Sequence, residues 1–346
     1  MDQTGIYLTE LQSPNGLTED SLKLKGLCSV VPLVSIGMPV FNGEEFLAES
    51  LASLLAQTYR DFELIVSDNG STDQTVAIVE AFAKHDDRIR LVKQESNIGA
   101  VGNFNFLIFE SHGKYFKWAA ADDLCEPTFL EECVSKLESD ESAAWCHTDS
   151  DKIDSNGDSL LHQVKSNPEV VYENGKPIGW EAPPRKHFNS DSPAKRFSGV
   201  VLGTNWCVDS YGMFRMSLLR KTRLLPKIYG AEKILIAELS MYGTYCHVPK
   251  LLFSQRIHDA ASSAIKSSDK QSDYVGQKMR YSTRLTILWA HIWSIVRSNI
   301  SMQAKAKCLI AVLRYVFQIS KWKRVIGSMI TGRGVGGGGA RTLEST

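Results

Sequence analysis

Seventy consecutive residues, 274–343, contain no aspartate and no glutamate. Twelve Lys and Arg fall in that stretch, whereas residues 1–273 hold 27 basic against 38 acidic residues, a formal charge of −11. The neutral total therefore hides an acidic body and a basic tail region. The seven cysteines, at 28, 125, 133, 146, 207, 246 and 308, include no C-x-x-C pair. An odd, unpatterned set argues against a disulfide scaffold and against structural zinc, and most of these thiols read as small buried hydrophobes. No window approaches 18 uninterrupted apolar residues, so no spanning helix is expected. The first 30 residues lack the apolar core of a signal peptide, which predicts a reducing, cytoplasmic setting. Three nucleotide or hydrolase signatures are also missing. There is no G-x-x-x-x-G-K-[ST]; "NIGAVGN" (97–103) is not G-x-G-x-x-G and follows the wrong strand; no G-x-S-x-G elbow occurs.

What is present is a rhythm. With 43% hydrophobic residues in 346, the chain can build one large or two modest domains. "LVSIGMPV" (33–40) reads as a buried strand. Asn42 with Glu45 predicts a capping box, and Leu47, Leu51, Leu54 and Leu55 recur at the spacing of a one-sided helix. "FELIV" (62–66) is a second strand, with Ser71-x-x-Gln74 capping the next helix. "IRLVK" (89–93) and "KYFKWA" (114–119) are a third and a fourth, and Pro127 suits the first turn of a helix carrying Phe129, Cys133 and Leu137. "AAWCHT" (143–148) predicts a fifth strand. Such alternation means a mostly parallel sheet covered on both faces.

Parallel strands deliver their carboxyl ends to one edge, where open α/β folds bind ligands. Here those ends carry Pro39, Phe41 and Asn42, then Asp68 and Asn69, then Asn97, then Asp122 and Asp123. Asp68 can accept hydrogen bonds from a base or ribose, and equally it can be an ordinary turn-maker. Adjacent carboxylates such as Asp122-Asp123 repel and favour a cation, which a magnesium site with phosphate oxygens would supply. The plain alternative is a solvated turn ahead of a helix.

The second half begins less regularly. "DKIDSNGDSL" (151–160) resembles a hairpin turning at Asn156-Gly157, and residues 173–193 read as a long loop. "GAEKILIAELSMYG" (230–243) is a strong helix and "KLLFSQR" (250–256) a strand.

The run "VSIGMPVFNGEEFLAESLASLLAQTYRDFELIVSDNGSTDQT", then "NIGAVGNFN", then "WAAADDL", resembles the nucleotide-binding half of glycosyltransferase family 2. The resemblance covers residues 33 to about 260. It implies the GT-A fold, an α/β Rossmann-like domain, and an inverting transfer from a nucleotide-diphosphate sugar with a divalent metal, Mg or Mn. Carried over position by position, it gives Pro39, Phe41, Asp68, Asn97 and Asp122 to the nucleotide, and Asp123 and His258 to the metal. Arg256, in "QRIH", would face the diphosphate. Where many members have D-x-D-D, this chain has Ala120-Ala121 before the pair. The general base would be Glu232, where the family most often has Asp, with Glu238 next in line. "QRIH" is not the Q-x-x-R-W of processive synthases, which points to transfer of a single sugar. Trp206 and Tyr211 would be acceptor platforms.

The organisation expected is a leader (1–31), a GT-A domain (32–265, nucleotide half 32–148 and acceptor half 149–265), a basic helical extension (266–330) and a flexible Gly-rich tail (331–346). The extension, with Trp289, Trp293, Tyr315, Phe317 and Trp322, suits either an interfacial helix pair on an anionic membrane or a packing subdomain with a solvated basic face. Expected partners are a nucleotide-diphosphate sugar and a saccharide or lipid-linked saccharide, with no nucleic acid. Two rival functions are a nucleotidyltransferase and a non-catalytic nucleotide- or sugar-binding member of the fold.

Overall fold

The computed structural model describes residues 31–160, 170–173, 176–180, 189–203, 208–262, 265, 267–277 and 283–317. Strand β1 (Val34–Val40) is buried at six of its seven positions, as a strand covered on both faces must be. β2 (Phe62–Asp68) and β4 (Tyr115–Trp118) flank it in parallel, and β3 (Ile89–Lys93) extends the run beyond β2. Helices α1 (Leu47–Leu55), α2 (Thr75–Ala83) and α3 (Ala100–Glu110) are the crossovers. Next come β5 (Leu124–Cys125), α4 (Phe129–Ser139), β6 (Ala143–Ile153), β7 (Val170–Glu173), β8 (Lys176–Trp180) and α5 (Pro193–Gly203). The described chain ends with β9 (Met213–Arg215), α6 (Met216–Leu219), α7 (Glu232–Leu239), β10 (Thr244–Arg256), α8 (Ser268–Val275), α9 (Thr283–Arg297) and α10 (Met302–Val316).

The sheet order is β3-β2-β1-β4-β9-β6-β10-β5, with the β7–β8 hairpin joined to β6. β9 and β5 run against their neighbours. The other six strands of that order therefore point one way, and the mostly parallel α/β fold read from the sequence is the fold observed. Helices α1, α2 and α4 close one face around Leu47, Leu51, Val79, Phe129 and Leu137. Helices α3, α5 and α7 close the other around Leu107, Trp118, Phe197 and Leu235. Outside them α10 packs on α5 and α9 on α7, adding Ile295, Val312 and Tyr315 to that second cluster. At Gly37 of β1 an added Cβ would lie 2.9 Å from the Leu107 Cβ and 2.9 Å from the Phe116 ring. Helix α3 meets the strand there because no side chain intervenes.

Several local expectations need correction. Asn42 does not cap its own helix. It takes φ 50°, a left-handed conformation Asn tolerates, and its Oδ1 accepts from the Thr72 N–H (2.9 Å) of the next loop. Gln74 flanks α2 without a side-chain cap. The 173–193 stretch contains strand β8, paired with β7 and touching β6; the cue was Asn174-Gly175 in the sequence, a hairpin signal. The 156–157 turn makes a single antiparallel bridge, Ile153 to Ser159. The sequence also reads Leu285, Leu288, Trp289 and Ile292 as one helical face; Leu285, Leu288 and Ile292 pack on the core, while Trp289 is 67% exposed and points away from it.

Candidate active site

The strand-end loops on the parallel edge are laced to one another. From the β1–α1 loop, the Asn42 N–H donates to Ser71 Oγ (2.8 Å) and the Gly43 N–H to Thr75 Oγ1 (2.9 Å). Asn69 Nδ2 donates to Asn97 Oδ1 (3.0 Å), and the Ile98 N–H returns to Asn69 Oδ1 (2.9 Å). Pro39 and Phe41 sit at the mouth of this edge, with Phe41 half exposed. Asp68, aligned with Val40 across β1 and β2, is buried, and its carboxylate accepts from the Gly70 (3.2 Å) and Ser71 (3.2 Å) N–H groups. Gly70 makes that turn possible at φ 81°. Turn-making is thus a shown role of Asp68. Two donors do not fill the roughly four lone-pair sites of a carboxylate.

Asp122 and Asp123 follow β4, and the structure separates their tasks. Asp122 Oδ2 meets His258 Nε2 at 2.9 Å, at a partly open position. Asp123 lies beneath, 6% exposed, with Oδ1 accepting from the Arg256 N–H (2.9 Å). Burial first, and the Asp122 charge second, push the Asp123 carboxyl well above the usual range; the Arg256 N–H and the Lys117 and Arg256 charges pull against them. Lys117, buried in β4, donates to the Tyr211 carbonyl (2.6 Å) under the pair. The sequence cue to Lys117 is a cation within the apolar run Tyr115–Trp118.

Arg256 was expected to face a diphosphate, and the structure turns it inward. Its side chain is fully buried. Nε donates to the Asp122 carbonyl (2.9 Å), Nη1 to the carbonyls of Asp154 (3.1 Å) and Ser155 (3.0 Å), and Nη2 to Glu49 (2.6 Å). The guanidinium also lies over the Phe46 ring at 4.6 Å. Four of its five N–H donors are engaged within the protein, so Arg256 braces the Asp122 loop against α1 and the turn after β6.

Glu232 opens α7 and lines a small cleft with Phe104, Tyr229, Ser262 and Tyr274. Burial raises its carboxyl above the ordinary glutamate value, a shift toward what a general base at neutral pH needs. Glu238 is excluded from such a role. It is 2% exposed and bonded to Arg223 (3.3 Å) and Ser294 (3.1 Å), tying α7 to α9. Tyr211 joins the two halves of the site. Its ring stacks on Phe253 at 5.7 Å. Burial raises its hydroxyl well above the phenol range, and Asp123, Tyr274, Asp122 and Glu232 add to the effect. Trp206 lies outside the described residues. Tyr229 and Tyr274 are members the sequence reading missed; the cue was Tyr229-Gly230 directly before the Glu232 helix.

No group of three or more His, Cys, Asp or Glu arranged to hold a metal occurs among the described residues. Asp122, Asp123 and His258 instead offer a partial donor set of two carboxylates and an imidazole. That suits a cation whose remaining positions are filled by phosphate oxygens and water.

Residues 35–220 match the family model described as Glycosyl transferase family 2. A Haemophilus influenzae protein described as an uncharacterized glycosyltransferase is 27% identical over 239 residues, 69% of this chain and 70% of that one. The glycosyltransferase GlyG of Streptococcus pneumoniae is 32% identical over 106 residues, 31% of this chain and 35% of GlyG. Of solved structures, S. aureus TarS 1-349 in complex with UDP-GlcNAc matches with a TM-score of 0.60 at 18% identity, over 87% of this chain and 76% of that one. At that identity the likeness concerns the fold. With this fold, a carboxylate-bearing edge and a family match over more than half of its residues, the chain belongs to glycosyltransferase family 2.

Proposed function

We propose that this glycosyltransferase moves one sugar from a nucleotide-diphosphate sugar to a hydroxyl of a saccharide or lipid-linked saccharide, with inversion, in the building of a cell-surface polysaccharide or glycolipid. The observation that carries the reading is the Asp122-Asp123 pair at the strand ends, met by His258 (2.9 Å) and by the Arg256 N–H (2.9 Å), together with Glu232 lining a cleft at the start of α7. The nucleotide would lie across the strand ends, against Pro39 and Phe41, with Asp68, Asn97 and Asp122 as acceptors for base and ribose. Asp122, Asp123 and His258 would hold a divalent cation, Mg or Mn, which when bound offsets charge on the departing diphosphate. Glu232 takes the proton of the acceptor hydroxyl as that oxygen bonds to the anomeric carbon. The bond from that carbon to the diphosphate oxygen breaks on the opposite face, and this is the inversion. Tyr211, Tyr229 and Tyr274 shape the acceptor side and keep water from the carboxylate.

A second reading, a nucleotide-sugar binder without turnover, draws on Ala120-Ala121 and on the partial metal donor set. Thermal melts with a panel of nucleotide diphosphates and their sugars, uridine forms first, with and without manganese, test both. Ligand at 100 times its dissociation constant adds about 2.7 kcal/mol by linkage. A metal-dependent rise with one nucleotide, together with slow release of nucleotide from its sugar, supports transfer. A rise without release favours the binder, and no rise with any of them sinks both.

A further inference from the structure

We propose that the outer face of the α9–α10 hairpin docks in the plane of an anionic lipid bilayer. The two helices are apolar on two sides. Their inner sides place Ile295, Cys308, Val312 and Tyr315 in the protein core. Their outer sides leave Trp289, Trp293 and Val296 exposed at i, i+4 and i+7, then Met302, Ile310, Leu313 and Phe317 at i, i+8, i+11 and i+15. Each set is one helical face by its spacing. Of the fifteen large apolar side chains exposed among the described residues, nine lie on or directly beside these two helices. A helix that only packed on the body would present polar residues outward; an apolar outer face on each of two neighbouring helices wants a cover.

Charge identifies the cover. Arg297, Lys307 and Arg314 are exposed beside the apolar stripe, within seventy residues that hold twelve cations and no acid. A second copy of this chain would bring the same positive face against itself. An anionic membrane surface complements it and attracts roughly 1 kcal/mol per nearby Lys or Arg. The paired tryptophans have the mixed apolar and N–H character that favours the headgroup boundary. No described helix is long and apolar enough to cross a membrane, which matches a pair lying flat. The inference rests on the helices alone and not on the transfer reaction.

Co-sedimentation of the full chain with vesicles tests it, using phosphatidylcholine alone and phosphatidylcholine mixed with phosphatidylglycerol. The expected result is binding at least about tenfold stronger to the mixed vesicles, weakened by salt. The pair Trp289→Ser and Trp293→Ser should lower it about tenfold with an unchanged melting temperature, because both side chains already face outward. Lys307→Glu with Arg314→Glu should lower it on the mixed vesicles as well. Absence of binding, or binding indifferent to both pairs, overturns the proposal. So does concentration-dependent self-association in sedimentation velocity that the tryptophan pair abolishes, which would assign the face to a second copy.

Discussion

Asp123 and Glu232 are both carboxylates whose ionised form is disfavoured by burial, and their substitutions should differ in what else they change. Asp123→Asn keeps the side-chain shape and removes the charge. Transfer should fall by at least about 100-fold, the scale of losing a key electrostatic group, while the thermal melt holds or rises as the repulsion with Asp122 disappears. Glu232→Gln should lower kcat by about 10²–10⁴-fold, the range of a general base, and leave donor affinity intact. In the native enzyme kcat should fall as pH drops through the raised Glu232 value, so the acid limb of a pH–rate profile lies above that of an ordinary glutamate. An unshifted limb would remove Glu232 from the role. At this scale the sequence displayed both acids by residue type and position. It could not display desolvation, which is the sum of atoms arriving from β10, the Val208–Tyr211 turn and α8.

At the scale of elements, Arg256 decides how β10 meets the rest. Its partners come from α1, from the loop after β4 and from the turn after β6. Arg256→Ala leaves half-exposed Glu49 and three carbonyls without their donor and should cost about 1–3 kcal/mol in urea unfolding, the scale of leaving buried hydrogen-bond partners unpaired. A diphosphate ligand would instead raise KM with stability intact, so the two measurements separate the roles. Gly37→Ala places a methyl group against Leu107 and Phe116. It should cost about 1–3 kcal/mol, the usual scale of overpacking, by lifting α3 from β1; equilibrium unfolding reads it directly. Strand and helix positions were legible because their signal is a repeat of two or of 3.6 residues. The capping roles read for Asn42 and for Ser71 with Gln74 were not, because Asn42 and Glu44 accept from the Thr72 and Gln74 N–H groups and Ser71 accepts from the Asn42 N–H, each about thirty residues away in sequence.

Over the whole molecule, the helical layer carries its own pH dependence. His291 of α9 is fully buried against Phe197, with no hydrogen-bond partner for either ring nitrogen among the described residues. Burial first, then the charges of Lys233 and Arg223, pull its pKa down to about 3. The unfolded chain takes up a proton near 6.5, and the folded chain does not until about 3. This group's contribution is therefore complete above pH 6.5 and shrinks by about 1.4 kcal/mol per pH unit on the way down. His291→Leu should flatten that acid limb in melts from pH 7 to pH 4.5 and leave neutral stability level or higher. A limb unchanged by the substitution would place the titration elsewhere.

The sequence by itself determined the strand-helix alternation, the edge on which Asp68, Asn97, Asp122 and Asp123 gather, and the family. The first two follow from local periodicity and from a right-handed, parallel crossover that sends the parallel strand ends to the same side, and the family from the motif series the sequence shares with it. Only the tertiary structure decided which of those groups remain available. His258 reaches Asp122 across 136 residues, while Arg256, two positions before it, is consumed inside. Likewise Trp289 turns outward although its neighbour Leu288 packs within. Such choices depend on where distant elements cross and on which donors they have already satisfied, and no short window of residues contains that sum.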